Sequence, residues 1–226
     1  ILHRLVGSEM CIRDRLTGRS GVSTDDQRTA LQALENAGVK IEVFAADVSK
    51  PEDITQLLAQ TSNLRGVVHA AGVLDDGMLM HQSPKRFLKV AGPKVSGAWN
   101  LHIQPKDLPR DFFVLFSSVA SIIGSPGQSN YAAANAFMDG LAHHRKHQGL
   151  VATSINWGPW SDVGMAASDV VLQRLMKDGW QPMNASQGCD FIGHLLKVCK
   201  LPQAAVLPVD WRQFAASIPG AVNWNI

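Results

Sequence analysis

The stretch FFVLFSSVASIIGSPGQSNYAAANAFMDGLAHHRKHQG, residues 112–149, decides the fold of this chain. It begins with an apolar run that ends in two serines, which is typical of a buried parallel strand whose carboxyl end meets a ligand crevice. Gly124, Pro126 and Gly127 then mark a loop. Apolar residues recur at helical spacing from position 128 to 148, and Gly149 is the predicted stop. The stretch therefore predicts a strand, a loop and a helix.

Strand and helix patterns alternate along the rest of the chain. Strands are predicted at 16–19, 39–45, 64–70, 111–118, 151–156 and 204–207. Helices are predicted at 24–37, 51–60, 84–90, 94–102, 128–148, 170–177 and 187–198, with a short final helix from 210. This order predicts an α/β protein with a Rossmann-like doubly wound parallel sheet and helices on both faces.

Length and composition fit one domain, because 226 residues with a hydrophobic fraction of 46% can fill a single α/β core. The net charge of +2 is too small to indicate nucleic acid or an anionic membrane as partner. No apolar stretch reaches membrane-spanning length, and no secretory signal is visible. Cys11, Cys189 and Cys199 lack disulfide-like or metal-like spacing, which favours a reducing, cytoplasmic location.

No metal site is predicted. His143, His144 and His147 share one predicted helix, and the first and last are at i, i+4 spacing. Arg145 and Lys146 stand between them, and no acidic or cysteine ligand is near. This pattern favours a solvated helix face over a zinc site.

Four residues suggest carbonyl reduction. Ser118 lies 13 residues before Tyr131, Asn135 four residues after it, and Lys94 24 residues before the serine. Reduction of a ketone by hydride needs an acid that protonates the developing alkoxide, and a tyrosine beside an ammonium can be that acid. A serine hydroxyl can hold the substrate oxygen beside the phenol. Asn135 is one helical turn past Tyr131 and shares its face.

The same residues could be ordinary loop and helix residues, and spacing alone supports that interpretation about as well. The context favours the catalytic one, since the predicted strand delivers Ser118 to the crevice and Tyr131 stands near the start of the following helix.

The stretch 112–149 resembles the ketoreductase domain of modular polyketide synthases, a branch of the short-chain dehydrogenase/reductase superfamily, and the resemblance covers nearly the whole chain. In most of that superfamily the lysine stands four residues after the tyrosine. Here that position is Asn135, and the lysine stands in the segment AGPKV, residues 91–95. This exchange is typical of the synthase-type ketoreductases.

The resemblance implies NADPH-dependent reduction of a β-ketoacyl thioester to the β-hydroxyacyl thioester in polyketide or related fatty acid biosynthesis. The substrate would be tethered to acyl carrier protein, with neighbouring synthase domains in the same polypeptide. Tyr131 would donate the proton and Ser118 would orient the carbonyl. Lys94 would lower the pKa of the phenol and hold the cofactor ribose, and Asn135 would support the lysine or a relay water.

The resemblance also places cofactor residues at strand ends. Arg19 and Ser20 correspond to the pair that meets the 2′-phosphate of NADPH, although an arginine in a polar loop is more often simply solvated. Ala70, Ala71 and Gly72 correspond to the segment of close approach, and they could equally form a tight turn. The remaining cofactor residues are Asp47 and Val48 at the adenine, and Trp157, Gly158 and Pro159 at the nicotinamide.

Stereocontrol is implied by the triplet Leu74, Asp75 and Asp76, which resembles the motif of B-type ketoreductases, whose product hydroxyl is usually of D configuration. Ile123 agrees, because A-type members tend to carry tryptophan there. Met165 would lie on the substrate lid. Asp75 and Asp76 could also be turn-forming residues on a wet surface.

One expected feature is absent: no Gly-x-Gly-x-x-Gly loop precedes the first recognisable strand. Residues 1–15 lack strand periodicity and resemble a translated sequencing adapter, so we interpret them as a non-native leader. Residues 16–226 are then a ketoreductase catalytic domain, truncated at its N-terminus, without its first strand and glycine-rich loop. The noncatalytic half that such domains usually carry upstream would be lost as well.

Two other functions stay open. The chain could be a noncatalytic scaffold remnant of a synthase, which the intact set of four residues disfavours. It could also be a stand-alone short-chain dehydrogenase/reductase acting on small ketones, which the Lys94 and Asn135 exchange and the triplet 74–76 disfavour.

Overall fold

A computed structural model describes residues 14–61, 64–104, 111–162, 169–198 and 201–217. Within these ranges the strands are β1 (Asp14–Gly18), β2 (Ile41–Ala45), β3 (Gly66–His69), β4 (Phe112–Ser118), β5 (Thr153–Trp157) and β6 (Gln203–Val206). The α-helices are α1 (Asp25–Asn36), α2 (Pro51–Ala59), α3 (Pro84–Ala91), α4 (Gly97–Ile103), α5 (Ala120–Ile123), α6 (Ser129–His147), α7 (Asp169–Lys177), α8 (Ala185–Val198) and α9 (Trp211–Ser217). The predicted α/β class is confirmed.

The six strands named above pair only in parallel. β1 pairs with β2, and a second sheet has the order β3-β4-β5-β6. The sequence predicted one sheet, whereas here β1 and β3 exchange no ladder hydrogen bonds and the strands form two sheets. The predicted loss of a first strand and glycine-rich loop stays a prediction. β1 begins at Asp14, two residues before the predicted strand and inside the predicted leader.

Helices cover both faces of the four-stranded sheet. On one face Phe113 and Leu115 of β4 pack with Met138 and Leu141 of α6. On the other face Val114 of β4 packs with Ile155, Trp157, Met183, Ile192 and Val206. Because successive strand side chains point to opposite faces, the apolar run of β4 contributes to both cores.

The loop after β2 is fixed to α4. The Asn100 side-chain amide donates to the Val48 carbonyl at 3.0 Å, and the Gln104 amide donates to the Pro51 carbonyl at 2.7 Å. The Thr55 hydroxyl donates to the Gln104 side-chain oxygen at 2.8 Å. These bonds hold the loop after β2 and the start of α2 against α4, the helix that follows Lys94.

The predicted helix at 94–102 differs at its start. Residues Gly92–Ser96 form a π-helical turn that joins α3 to α4, and Lys94 lies in this turn. A short helix, α5, occupies part of the predicted loop after β4. In the described ranges, no helix is both long and apolar enough to cross a membrane.

Candidate active site

The polar residues of the site stand at one edge of the sheets, because parallel strands all end there. β4 ends at Ser118, and β3 ends at His69, which Ala70, Ala71 and Gly72 follow. β5 ends at Trp157, and β1 and β2 end just before Arg19 and Asp47. The helix α6 starts near the same edge and carries Tyr131 and Asn135.

Lys94 enters this edge from the π-helical turn. Its side chain is buried, with 3% of its surface exposed. Its ammonium donates to the Phe116 carbonyl at 3.1 Å and lies 5.1 Å from the centre of the Tyr131 ring. A Cβ atom at position 72 would stand 2.9 Å from the Lys94 Cε atom, so Gly72 lets the lysine stem pass the end of β3.

His69 supports the π-helical turn. Its Nε2 atom lies 2.9 Å from the carbonyl oxygen of Pro93, so the ring donates there as the Nε2–H tautomer. Burial, and then the nearby Lys94 ammonium, lower the pKa of His69 to about 4. The ring is therefore neutral at physiological pH. π-Helical turns are frequent at functional sites, and this one directs Lys94 toward Tyr131.

Two opposing effects act on the pKa of Lys94. Burial lowers the pKa of Lys94 to about 8, and the Asp139 carboxylate acts in the opposite direction. At neutral pH most of the lysine is therefore protonated.

Tyr131 is the tyrosine that faces this ammonium. Burial raises the pKa of its phenol, and hydrogen bonding with Asn135 and then Ser118 lowers it in part. The Asp76 carboxylate adds to the increase. A buried phenol stays protonated at neutral pH and can act as an acid, while Lys94 would stabilise the phenolate that proton donation leaves.

Ser118 and Asn135 complete the group. The Ser118 hydroxyl oxygen accepts from the Ala120 N–H at 3.2 Å, which orients it at the end of β4. Asn135 is fully buried and donates from Nδ2 to the Tyr131 carbonyl at 2.8 Å. Its Oδ1 atom is buried and has no hydrogen-bond partner in the described residues. The structure thus brings Lys94, Ser118, Tyr131 and Asn135 to the same strand edge, and their catalytic roles stay a prediction.

The predicted phosphate and adenine residues lie beside each other. The carboxylate of Asp47 accepts from the Ser49 hydroxyl at 2.7 Å and from the Ser49 N–H at 3.0 Å. These bonds, with Arg19 and Lys50 as nearby cations, lower the pKa of Asp47. Arg19 and Ser20 follow β1 directly, and Arg19 is exposed. Val48 is held through its carbonyl by Asn100.

The predicted close-approach and nicotinamide segments differ in exposure. Ala70 and Ala71 are exposed after β3. The Trp157 side chain is buried and packs between the rings of Phe116 and Trp160, with centroid distances of 5.4 and 4.9 Å. The Gly158 N–H donates to the Val206 carbonyl at 3.0 Å, and Pro159 accepts from the Met183 N–H. The side chain of Trp157 is therefore part of the core, and a cofactor would contact only the backbone of this residue.

The loop with Leu74, Asp75 and Asp76 is anchored on two sides. Asp75 pairs with Arg86 of α3 at 2.6 Å and with Lys89 at 3.1 Å. On the other side the Asn130 amide donates to the Asp75 carbonyl at 2.8 Å, and the Gln128 amide donates to the Asp76 carboxylate at 2.9 Å. Lys89, and then Arg86, lower the pKa of Asp75. The loop is thereby tied to the first turn of the helix that carries Tyr131.

Two further stereocontrol residues were predicted. Ile123 ends α5 and is 43% exposed, so its side chain is open to a ligand. Met165 lies outside the described residues. In the described ranges, no group of three or more His, Cys, Asp or Glu residues could hold a metal ion.

Sequence reasoning missed Asp139, Asn156 and Arg86. Asp139 is buried and accepts hydrogen bonds from both Ser154 and Asn156. Its spacing was an available signal, because positions 131, 135 and 139 follow one helical stripe. Arg86 had no comparable signal, since its partners Asp75 and Asp76 lie in a loop eleven and ten positions away.

The family model for the KR domain matches residues 14–162. Among solved structures, an A-type ketoreductase from a modular polyketide synthase has a TM-score of 0.89 and 34% identity, over 95% of this chain and 46% of that one. The first ketoreductase of the tylosin synthase has a TM-score of 0.82 and 35% identity, over 95% and 48%. The chain belongs to the KR domain family of modular polyketide synthases.

Curated relatives are far longer than this chain. It is 40% identical over 209 residues to the polyketide synthase GfsA of Streptomyces halstedii, which is 91% of this chain and 3% of that protein. It is 41% identical over 190 residues to the phenolphthiocerol synthesis polyketide synthase Pks15/1 of Mycobacterium marinum, which is 81% of this chain and 9% of that protein. The chain thus spans a small part of the relatives it matches.

Proposed function

We propose that this chain reduces the β-keto group of an acyl thioester held on acyl carrier protein, with NADPH as the reductant, in a polyketide or related fatty acid synthase. One observation carries the proposal. The buried Lys94 ammonium lies over the ring of Tyr131, Ser118 stands at the end of β4, and Asn135 lies one turn after Tyr131 on α6. A buried acid, a nearby cation and a hydroxyl at one strand edge are the groups that carbonyl reduction requires.

The mechanism assigns each side chain one task. Ser118 donates to the substrate carbonyl oxygen and holds it near the phenol of Tyr131. Tyr131 donates its proton to that oxygen as negative charge develops on it. Lys94 stabilises the resulting phenolate, and Asn135 offers its Oδ1, which has no partner among the described residues, to a relay water or to the lysine. NADPH, when bound, supplies the hydride.

Residues of this chain are suited to hold part of NADPH. Gly72 makes room at the end of β3 for the stem of Lys94, which would hold the cofactor ribose. The fixed loop of Asp47 and Val48 and the exposed guanidinium of Arg19 stand at the ends of β2 and β1. Ala70, Ala71 and the backbone of Trp157, Gly158 and Pro159 would bound the remaining face. Arg19 and Ser20 would hold the 2′-phosphate, because a guanidinium offers bidentate geometry to a phosphate.

The partners follow from the relatives, which are multidomain synthases of which this chain spans 3% to 13% in the examples compared. We propose that an acyl carrier protein presents the β-ketoacyl chain on a phosphopantetheine arm, and that other synthase domains flank this one. We place the reaction in the cytoplasm.

The test of this function is a turnover assay on the full-length protein. We expect NADPH-dependent reduction of a β-ketoacyl thioester, measured by the loss of cofactor absorbance and by mass spectrometry of the β-hydroxy product. Free small ketones serve as the comparison substrate and should react poorly. Cofactor binding without any turnover would instead support the scaffold function, and a preference for free ketones would support a stand-alone reductase.

The same assay also tests the configuration of the product. We propose a B-type enzyme, because Leu74, Asp75 and Asp76 resemble the B-type motif, and the loop that carries them is anchored to the first turn of α6, the helix of Tyr131. Ile123 at the end of α5 leaves this side open, and Met165 is the remaining member of the proposed set. Chiral chromatography of the product should then show the D configuration, and an L product would contradict the assignment.

Cofactor preference gives a second test. We expect Arg19→Ala to raise the KM for NADPH roughly tenfold, because a charge-assisted contact to the 2′-phosphate is lost. The KM for NADH should hardly change, since NADH lacks that phosphate. Steady-state kinetics with both cofactors measure this. Arg28→Ala is the matched control, because Arg28 is an exposed arginine on α1 that pairs with Asp25 at 2.7 Å. Equal losses with NADPH and NADH would contradict the role of Arg19.

A further inference from the structure

The loop of residues 72–77 lies along the candidate active site. Its first residue is the glycine that gives room to the Lys94 stem. Three positions later, the Asp75 carbonyl accepts from the side-chain amide of Asn130 at 2.8 Å, and Asn130 directly precedes Tyr131 on α6. The loop therefore connects the side chain of Lys94 with the first turn of the helix that carries Tyr131.

Arg86 of α3 holds the same loop from a second element. Its Nε and Nη2 atoms lie 2.8 and 2.6 Å from one oxygen of the Asp75 carboxylate. Nη2 also donates to the Asp76 carbonyl, and Nη1 lies 3.5 Å from the His81 carbonyl oxygen. One guanidinium thus binds a carboxylate and two backbone carbonyls of the segment 75–81.

The position of this guanidinium depends on Gly77. A Cβ atom at position 77 would stand 2.8 Å from Nη1 and 3.0 Å from Cζ of Arg86. Because glycine has no such atom, the planar group can lie against the loop backbone. The Gly77 N–H donates to the Gly127 carbonyl at 2.8 Å, just before α6. The loop is therefore held between Arg86 and the segment that leads into the tyrosine helix.

Lys89 contacts the same carboxylate in a different way. Its ammonium lies 3.1 Å from the other oxygen of Asp75, and its side chain is 60% exposed, compared with 31% for Arg86. A single exposed ion pair contributes little to the stability of a conformation. A guanidinium that donates to several acceptors in one plane also fixes their orientation. We therefore expect Arg86, and not Lys89, to determine the conformation of the loop.

We infer that Arg86 is a positioning residue for stereocontrol, because it fixes the loop 72–77 beside the candidate active site. It acts through the loop, whose backbone and Asp75 carboxylate it binds. A loop held in one conformation presents one surface to the ketone, whereas a loop that populates a second conformation can admit the opposite face. The effect on the product rests on the proposed function, since only reduction of a ketone reveals it.

The test is Arg86→Met in the full-length protein, because methionine keeps an unbranched stem and removes every donor of the guanidinium. We expect the ratio of the two hydroxyl configurations in the product to move toward unity by roughly tenfold or more, since charge-assisted bonds to the loop are lost. Chiral chromatography measures this ratio. Lys89→Met is the matched control, because it removes a cation from the same carboxylate, and its product ratio should stay at the wild-type value.

Arg86→Lys separates the charge of the side chain from its shape. Lysine keeps a cation near Asp75, but it has no planar group that could donate to the carboxylate and the Asp76 carbonyl together. We expect a product ratio between those of wild type and Arg86→Met. This variant keeps the ion pair, so it also tests the inference if methionine at position 86 prevents folding. A wild-type ratio in Arg86→Lys would contradict the role of the guanidinium.

Hydrogen exchange followed by mass spectrometry tests the loop without any turnover. We expect the amides of residues 74–80 to exchange faster in Arg86→Met than in wild type and Lys89→Met, because the loop opens more often. A peptide that spans β4 is the internal reference and should not change. Unchanged exchange in the loop, or an unchanged product ratio, would overturn the inference. If wild type reduces no thioester while loop exchange still rises, the proposed function fails and the loop anchor stands.

Discussion

Tyr131→Phe in the full-length protein should lower kcat for reduction of a β-ketoacyl thioester by roughly 10²- to 10⁴-fold, the range that a positioned general acid contributes. The ring, which packs near the Lys94 ammonium, is kept, so the fold should persist. Tyr131 is the only tyrosine of the chain, so no second phenol of this chain can take its place. NADPH oxidation gives the rate, and circular dichroism and NADPH titration show that fold and cofactor binding are retained.

Ser129→Ala is the matched control for this prediction. It also deletes one hydroxyl in the first turn of α6, and the Ser129 hydroxyl is buried without a hydrogen-bond partner in the described residues. Its turnover should stay near the wild-type value. If Tyr131→Phe also retained near-normal turnover, Tyr131 would not be the acid and the proposed mechanism would be wrong.

The sequence predicted the parts of the fold that depend on local pattern. The apolar run of β4 ends at Ser118 as expected, because a strand buried on both faces must be continuously apolar and can change to hydroxyls only at the crevice. Helix α6 agrees to within one residue at each end, since Gly149 adopts a positive φ of 74° and stops it. These features can be predicted because residues close by in the sequence determine them.

The parts that could not be predicted depend on contacts between distant segments. The π-helical turn at Lys94 has no local signature that separates it from a regular helix, and the bond from His69 to Pro93 spans 24 positions. The pairing of Asn156 with Asp139 spans 17 positions. The sequence shows where these polar residues stand along the chain. Their roles depend on burial and on hydrogen-bond partners that are distant in sequence.

The loop at Asp75 carries a motif that has two interpretations in the sequence. The sequence allowed a wet turn or a steering loop, and a wet turn would leave the carboxylates in solvent. Asp75 is partly buried and paired with Arg86 and Lys89, whereas Asp76 is exposed and accepts from Gln128. A loop held from both sides can present a fixed surface to a substrate, which supports the steering role we propose. The partners were not predictable, because α3 and α6 reach the loop only in three dimensions.

Lys94→Met should lower kcat by roughly 10- to 1,000-fold, because a nearby cation shifts a phenol's pKa by about one to three units. Methionine keeps the unbranched stem that passes Gly72 but cannot stabilise the Tyr131 phenolate. The pKa of Lys94 is about 8, so its charge is present below that pH and is lost above it. The loss in Lys94→Met should therefore be greatest below pH 8, measured as a pH profile of kcat, and the wild-type alkaline limb near that pH should disappear.

Lys94→Arg separates the charge from the shape. It keeps the cation, but the guanidinium is bulkier, and the lysine stem already lies so close to position 72 that a Cβ atom there would stand 2.9 Å from Cε. We expect activity between that of wild type and Lys94→Met, with no alkaline limb near pH 8, because arginine does not lose its proton in this range. A Lys94→Met enzyme that kept both its rate and its alkaline limb would show that another group, and not this ammonium, sets the acidity of Tyr131.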